Sequence, residues 1–260
     1  MVNLSWKCNY GNCPYCWTNQ VVRNTELYKM PDKPANEWSE ALNKLDPAIF
    51  DFVGGEPLIF PDFINLVGHL DQKHEFAVTS NLFSDNLFDF ISLIQPKQCI
   101  HFTGSWHPTG KLNLEQFCIR MQMLRDSGFS VSVNVINHES IKEKIEEAVV
   151  KLNSVGIAVL VSPYEHPPDL LNPHDKTFTC NGGINHYVLN NNGDVYRCLS
   201  WFRHPDRQKA WLGNIFDKSF KKLSEKQTCS LPCEMHYVVD KNNSMIKDLE
   251  IQTVENSVCQ

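Results

Sequence analysis

Short apolar runs alternate with longer amphipathic segments through residues 1–165. The short runs predict strands, and the longer segments, whose apolar residues recur three and four positions apart, predict helices. The predicted strands are residues 3–7, 48–53, 75–79, 98–102, 130–136 and 158–162. The predicted helices are residues 36–45, 62–70, 85–94, 114–127 and 140–155. This alternation is typical of the α/β class with a parallel sheet, in which ligands bind at the carboxyl ends of the strands.

Two α/β architectures satisfy this pattern. Six βα units are too few for a closed barrel, which needs eight, so an open doubly wound sheet and a partial barrel both remain possible. Residues 166–177 begin with the proline-rich stretch HPPDLLNPH, which predicts a linker. Residues 186–198 alternate around Asn-Asn-Gly and predict a β-hairpin. We therefore expect a main domain over 1–165 and a smaller one over 178–260.

Charge and hydropathy exclude two classes of partner. The formal net charge is −6 and the chain has no Lys/Arg-rich run, which argues against binding to a phosphate backbone. No apolar run approaches the roughly 20 residues of a membrane span, and no signal-peptide pattern is present. We expect a cytoplasmic protein without nucleic-acid or membrane partners.

Ten cysteines are a high count for a chain of 260 residues. Disulfide frameworks belong to small secreted domains, so metal ligation is the favoured use of these thiols. Cys8, Cys13 and Cys16 form a loop with the spacing C-x4-C-x2-C. Structural zinc sites fill all four positions, whereas a 4Fe-4S cluster held by three cysteines leaves one iron free. A zinc site completed by a distant residue such as His101 is the alternative.

The cysteine loop, with Tyr15 before its third cysteine, follows the first predicted strand, and the stretch GGEP at 54–57 follows the second. In these features the chain resembles the radical S-adenosylmethionine (radical SAM) superfamily. The usual spacing of that family is C-x3-C-x2-C, so this loop is one residue longer. The resemblance implies a partial (β/α)6 barrel, a 4Fe-4S cluster on the three cysteines, and S-adenosylmethionine (AdoMet) on its open iron.

Cofactor contacts are implied by the same resemblance. Adjacent glycines let a backbone approach a ligand closely, and Gly54, Gly55 and Glu56 would hold the methionyl amino group. The other implied cofactor contacts are Tyr15, Ser80, Asn81, Ser132, Asn134 and Tyr164. An ordinary turn and loop-capping side chains are the alternative interpretations.

A second set of cysteines lies in the last third of the chain: Cys180, Cys198, Cys229 and Cys233. Their order around the predicted hairpin resembles the auxiliary-cluster extension of the family, in its short twitch form as opposed to the longer SPASM form. The resemblance implies a small C-terminal β-hairpin/α lobe with an auxiliary 4Fe-4S cluster, whose full ligand set favours electron transfer or a structural role. A zinc ribbon is the alternative, and Cys259 could replace one ligand.

The implied activity is reductive cleavage of AdoMet to a 5'-deoxyadenosyl radical, which abstracts a hydrogen atom from a substrate. A reductant such as flavodoxin or ferredoxin would supply the electron. The candidate catalytic residues are His101, His107 and Glu165, because side chains of these types can accept a proton near the strand ends.

The class of reaction depends on what happens to the substrate radical. Epimerisation needs a hydrogen donor such as a free cysteine, but Cys99 begins its strand and Cys118 lies on an outer helix, so only Cys259 could reach the pocket. We expect a redox transformation of a small polar substrate, such as dehydrogenation. A peptide-modifying enzyme is the alternative; such enzymes often carry a leader-binding domain, and only seven residues precede Cys8. A non-enzymatic zinc or iron-sulfur scaffold is the second alternative.

Overall fold

The computed structural model describes residues 1–11, 13–164 and 178–231. The chain divides into two compact units, one made of residues 1–164 and 190–192 and the other of residues 165–189 and 193–260. The predicted linker and the residues after 231 lie outside the described part.

The first unit is built on six parallel strands. They are β1 Val2–Asn3, β2 Ile49–Val53, β3 Glu75–Ser80, β4 Cys99–Ser105, β5 Val131–Asn137 and β6 Val159–Pro163. Each strand pairs with the next one along the chain, from β1 to β6. The predicted parallel α/β sheet is confirmed. The first strand is shorter than expected, although residues beyond it continue to bond to the chain after β2.

Seven α-helices lie in the described part of this unit. They are α1 Trp17–Gln20, α2 Glu26–Lys29, α3 Ala35–Asn43, α4 Phe63–Gly68, α5 Asn86–Leu93, α6 Leu114–Asp126 and α7 Lys142–Ser154. The first two are too short to show an apolar period, so the sequence did not predict them. A capping box begins α6, where the Asn113 side chain accepts a bond of 2.8 Å from the Gln116 N–H. No helix among the described residues is long and apolar enough to cross a membrane.

The two faces of the sheet differ in polarity. On the face covered by helices, the rings of Phe90 and Phe102 lie 5.3 Å apart and nearly perpendicular. Gly104 lets α6 approach this face, since a Cβ there would lie 2.5 Å from the Met121 sulfur. The opposite face carries hydrogen-bonded polar side chains, including His101. The apolar face is packed on helices, and the polar face carries groups that a ligand could contact.

The second unit is mainly antiparallel. Its elements are β7 Phe178–Cys180, β8 Val188–Leu189, β9 Asp194–Tyr196, α8 Leu199–Arg203, β10 Trp211–Asn214 and β11 Gln227–Cys229. The predicted hairpin is present as the β8–β9 pair, and Gly193 before β9 has a φ of +87°. Strand β7 pairs with β11, which is distant in sequence.

Phe90 and Leu93 offer a matched test of the core. Phe90 is 0% exposed and packs against four aromatic rings, whereas Leu93, on the same helix, is 66% exposed. We expect Phe90→Ala to lower the free energy of unfolding by about 3–5 kcal/mol and Leu93→Ala by less than about 0.5 kcal/mol. Urea denaturation of the two variants measures both, and equal losses would contradict this packing.

Candidate functional site

The GGEP turn and the entry to the cysteine loop are bonded to each other. The N–H of Gly55 donates to the Ser5 carbonyl, and the N–H of Glu56 donates to the Lys7 carbonyl, both at 2.9 Å. These bonds continue the parallel pairing of β1 with β2 beyond its last paired residues. Two motifs almost fifty residues apart are thereby held side by side at the carboxyl end of the sheet.

Both glycines of this turn are required because the segment that enters the cysteine loop passes very close to them. A Cβ at Gly55 would lie 1.9 Å from the Lys7 carbonyl oxygen. Gly54 has a φ of +122°, and a Cβ there would lie 1.9 Å from the Asn3 side-chain oxygen. Only glycine fits both positions, so the turn is built for backbone proximity.

The three front thiols share one loop. Cys13 is buried, and Cys8 and Cys16 are partly exposed. Burial raises the pKa of Cys8, and it raises the pKa of Cys13 to about 11, with a further contribution from repulsion among the three thiols. Within the described ranges, no three His, Cys, Asp or Glu side chains lie together closely enough to bind one ion.

The chemistry around the thiols fits an iron-sulfur cluster. The Asn81 amide nitrogen lies 3.6 Å from the Cys8 sulfur, and the Thr109 hydroxyl lies 4.0 Å from the Cys13 sulfur. Donors of this kind satisfy the charge on cluster thiolates. His101, the alternative zinc ligand, has both ring nitrogens in hydrogen bonds to serine hydroxyls. The donor set therefore fits a three-cysteine cluster better than zinc completed by His101.

Glu56 is a buried carboxylate at the centre of the turn, 2% exposed. It accepts hydrogen bonds from the Leu58 N–H at 3.0 Å, the Ser80 hydroxyl at 2.7 Å and the Asn81 N–H at 2.7 Å. Burial raises the pKa of Glu56 to about 7, while these donors act in the opposite direction. Ser80 and Asn81, predicted as cofactor contacts, thus position Glu56.

The polar face of the sheet carries the remaining predicted strand residues. His101 lies 3.1 Å from the Ser130 hydroxyl through Nδ1 and 2.8 Å from the Ser132 hydroxyl through Nε2. Burial lowers the pKa of His101 and so favours the neutral form of its imidazole. The Ser162 hydroxyl donates to Oδ1 of Asn134 at 2.6 Å. Neighbouring strands therefore present paired polar groups on the polar face of the sheet.

A group of aromatic and imidazole rings joins the cysteine loop to the strand ends. The Tyr15 hydroxyl lies 3.1 Å from His107 Nδ1, and the two rings are stacked. The His138 ring lies 5.6 Å from that of Tyr15 and 4.7 Å from that of Tyr164. Burial lowers the pKa of His107 to about 4 and raises the pKa of Tyr15. Tyr15, His107 and Tyr164, predicted separately, belong to this one group.

Several residues of the site were not predicted. Asn9, Tyr10 and Thr109 contact other site residues. They were missed because each contact is to a residue in a distant segment of the sequence. The position of Asn9 and Tyr10 inside the cysteine loop is a signal that could have found them. Glu165 and Cys233, two predicted site residues, lie outside the described part of the chain.

The second unit brings three of its predicted ligands into one region. Cys180 pairs with Gln227, two residues before Cys229, so the two cysteines are diagonal neighbours on one face of the β7–β11 pair. Such neighbours lie roughly 7–8 Å apart. Burial raises the pKa of Cys198 to about 12, and the other two thiols repel its thiolate. The imidazole of His186 lowers the pKa of Cys180 to about 7.

The pH dependence of stability tests the Glu56 environment. Its pKa rises from an ordinary 4.5 to about 7 on folding, so its contribution to stability is lost as the pH rises through this interval. We compare the free energy of unfolding of the wild type with that of Glu56→Gln. We expect the wild-type value, relative to the variant, to fall by about 3 kcal/mol as the pH rises from 4.5 to about 7. Urea denaturation of the reduced apoproteins measures this difference. An advantage that grows with pH would contradict the raised pKa.

The fold has solved counterparts. No family model matches the chain, and neither does any curated protein. The structure described as "Native anSMEcpe with bound AdoMet" is similar, with a TM-score of 0.58 and 13% identity over 84% of this chain and 78% of that one. "Native anSMEcpe with bound AdoMet and Kp18Cys peptide" gives 0.57 and 14% identity over 84% and 77%. At such identities the likeness shows that the chain shares the fold of these proteins, which by their descriptions were solved with AdoMet.

Proposed function

We propose that the protein is a radical SAM enzyme and that its parallel sheet is a partial (β/α)6 barrel. In a doubly wound sheet the strand order reverses at a switch point, whereas here the six strands follow chain order throughout. The polar face of the sheet would be the lumen of the barrel. The likeness in fold to proteins solved with AdoMet supports the assignment.

The contact between the two front motifs is the observation on which this proposal rests most. Gly55 and Glu56 bond to the residues that enter the cysteine loop, and both glycines are required there. A cofactor that binds a cluster iron and a backbone turn at once needs these motifs to lie side by side. An ordinary βα turn has no such need for contact with a cysteine loop.

Different residues would bind different parts of the cluster and of AdoMet. Cys8, Cys13 and Cys16 would hold the 4Fe-4S cluster, and Gly54, Gly55 and Glu56 would hold the methionyl end of AdoMet. Tyr15, Ser132, Asn134 and Tyr164 are proposed contacts to the rest of the cofactor. When bound, the cluster and AdoMet supply reductive cleavage of AdoMet and abstraction of a hydrogen atom from the substrate, with the electron coming from a flavodoxin or ferredoxin.

A second 4Fe-4S cluster is proposed for Cys180, Cys198, Cys229 and Cys233, in a twitch-like lobe. The placement of Cys180 and Cys229 on one strand-pair face, with Cys198 in electrostatic contact, supports a shared site. A zinc ribbon would use the same thiols and is distinguished by metal analysis. A fully ligated cluster supplies an acceptor for the electron that an oxidised substrate loses.

Oxidation of a small polar substrate, such as dehydrogenation, is the proposed reaction. The substrate would lose a hydrogen atom to the adenosyl group, an electron to the auxiliary cluster and a proton to a base. His107 lies two residues beyond the end of β4, at the carboxyl end of the sheet, and is the proposed base. Cys99 begins β4, at the opposite end of the sheet, so it is unsuited as a hydrogen donor for epimerisation.

A peptide substrate is the second candidate. Two structures of similar fold contain peptides by their descriptions, "Kp18Cys peptide" and "Cp18Cys peptide". The two candidates differ in the size of molecule that accelerates cleavage of AdoMet. The substrate class is identified by the molecule, peptide or small and polar, that raises the rate of AdoMet cleavage. That molecule should be consumed in an amount equal to the AdoMet cleaved.

Metal content tests the cluster assignment. Anaerobic reconstitution of the wild-type chain should give roughly eight irons, in two clusters. Replacing Cys8, Cys13 and Cys16 together by Ala should leave roughly four, and so should replacing Cys180 and Cys198. Cys118→Ala, a thiol on α6 outside both sites, is the control and should leave the iron content unchanged. Zinc without iron would instead support a structural scaffold.

Cleavage of AdoMet tests the enzymatic assignment. With dithionite, the reconstituted wild type and Cys118→Ala should form 5'-deoxyadenosine. The triple variant of the front cysteines should form none, because the iron that binds AdoMet is lost. The variant without Cys180 and Cys198 should still form it. Iron-loaded wild type that forms no 5'-deoxyadenosine would contradict the radical SAM proposal.

A further inference from the structure

The turn after β3 holds a strained backbone next to the cysteine loop. Leu82 has a φ of +63°, a left-handed conformation that is rare for a bulky residue, and it is 0% exposed. Two side chains hold it there: the Ser80 hydroxyl accepts from the Leu82 N–H at 2.9 Å, and Asn81 Oδ1 accepts from the Phe83 N–H at 2.8 Å. Such strain persists only where surrounding contacts impose it, and it is concentrated at functional sites.

These contacts determine which way the Asn81 amide points. Because Oδ1 accepts from the Phe83 N–H, the amide nitrogen must face the cysteine loop. There it donates to Asn9 Oδ1 at 2.9 Å and lies 3.6 Å from the Cys8 sulfur. Asn81 is 3% exposed. Both of its side-chain N–H groups are therefore used at the loop.

The same turn anchors the first two residues between Cys8 and Cys13. The Asn9 amide nitrogen donates to the Phe83 carbonyl, and the Tyr10 hydroxyl donates to the Asn81 carbonyl at 3.4 Å. The Leu112 N–H in turn donates to the Tyr10 hydroxyl at 3.4 Å. The C-x4-C segment is thus fixed by contacts from the turn on both of its first two residues.

We propose that Asn81 is a positioning residue for Cys8: it fixes the longer cysteine loop through Asn9 and donates an N–H···S hydrogen bond to the Cys8 sulfur. This inference rests on the proposed function, because the sulfur would be a cluster ligand. A hydrogen bond to a cluster thiolate stabilises the reduced state, which carries more negative charge, and so raises the reduction potential.

Redox titration followed by EPR tests the proposal on the reconstituted full chain. The cluster to observe is the one whose signal changes when AdoMet is added. Asn81→Leu removes the donor, and we expect a reduction equilibrium about tenfold less favourable, a potential about 59 mV lower for one electron. Asn81→Asp places a negative oxygen at the sulfur and should lower it further. The exposed Asn153→Leu is the control and should not shift it.

Iron content separates the two proposals. Wild-type chain without iron refutes the radical SAM assignment itself. Variants with normal iron and an unchanged potential overturn the role of Asn81 alone. A further measurement uses only the wild-type chain, labelled with 15N-asparagine: pulsed EPR should detect a 15N coupling to the reduced cluster. Its absence overturns the hydrogen bond even if the Asn81 variants fail to fold.

Discussion

The site depends on two backbone hydrogen bonds between parallel segments, from Gly55 and Glu56 to Ser5 and Lys7. They exist because neither glycine carries a Cβ, which would collide with the facing chain. This contact extends the pairing of the two-residue strand β1 as far as the entry to the cysteine loop. A short pairing of backbone thus places the thiols beside a turn that can approach a ligand.

Glu56 extends this arrangement to the next strand. Its carboxylate is buried and holds the turn after β3 through Ser80 and Asn81. Asn81 then contacts Asn9 and the Cys8 sulfur, so the chain of bonds returns to the cysteine loop. Three segments that are far apart in sequence support one another, which explains why a buried acid and a strained Leu82 are tolerated at one edge of the sheet.

Much of the fold could be predicted because it follows from local patterns. Apolar periodicity located β2 to β6 and α3 to α7 to within a few residues, since one face of each element must be buried. The first strand was overestimated, because its later residues bond to a turn and not to a regular strand. The short helices α1 and α2 were missed, because four residues contain no repeat.

The sequence by itself determined the parallel α/β sheet and the two groups of thiols, through periodicity and spacing that act over a few residues. Only the tertiary structure decided what the polar side chains contact. Among the predicted cofactor contacts, Ser80 bonds to Glu56, Ser132 to His101 and Asn81 to the cysteine loop, and none of these three hydrogen bonds was predicted. Hydrogen bonds between side chains more than twenty residues apart depend on how the strand ends pack, and no local pattern encodes that packing.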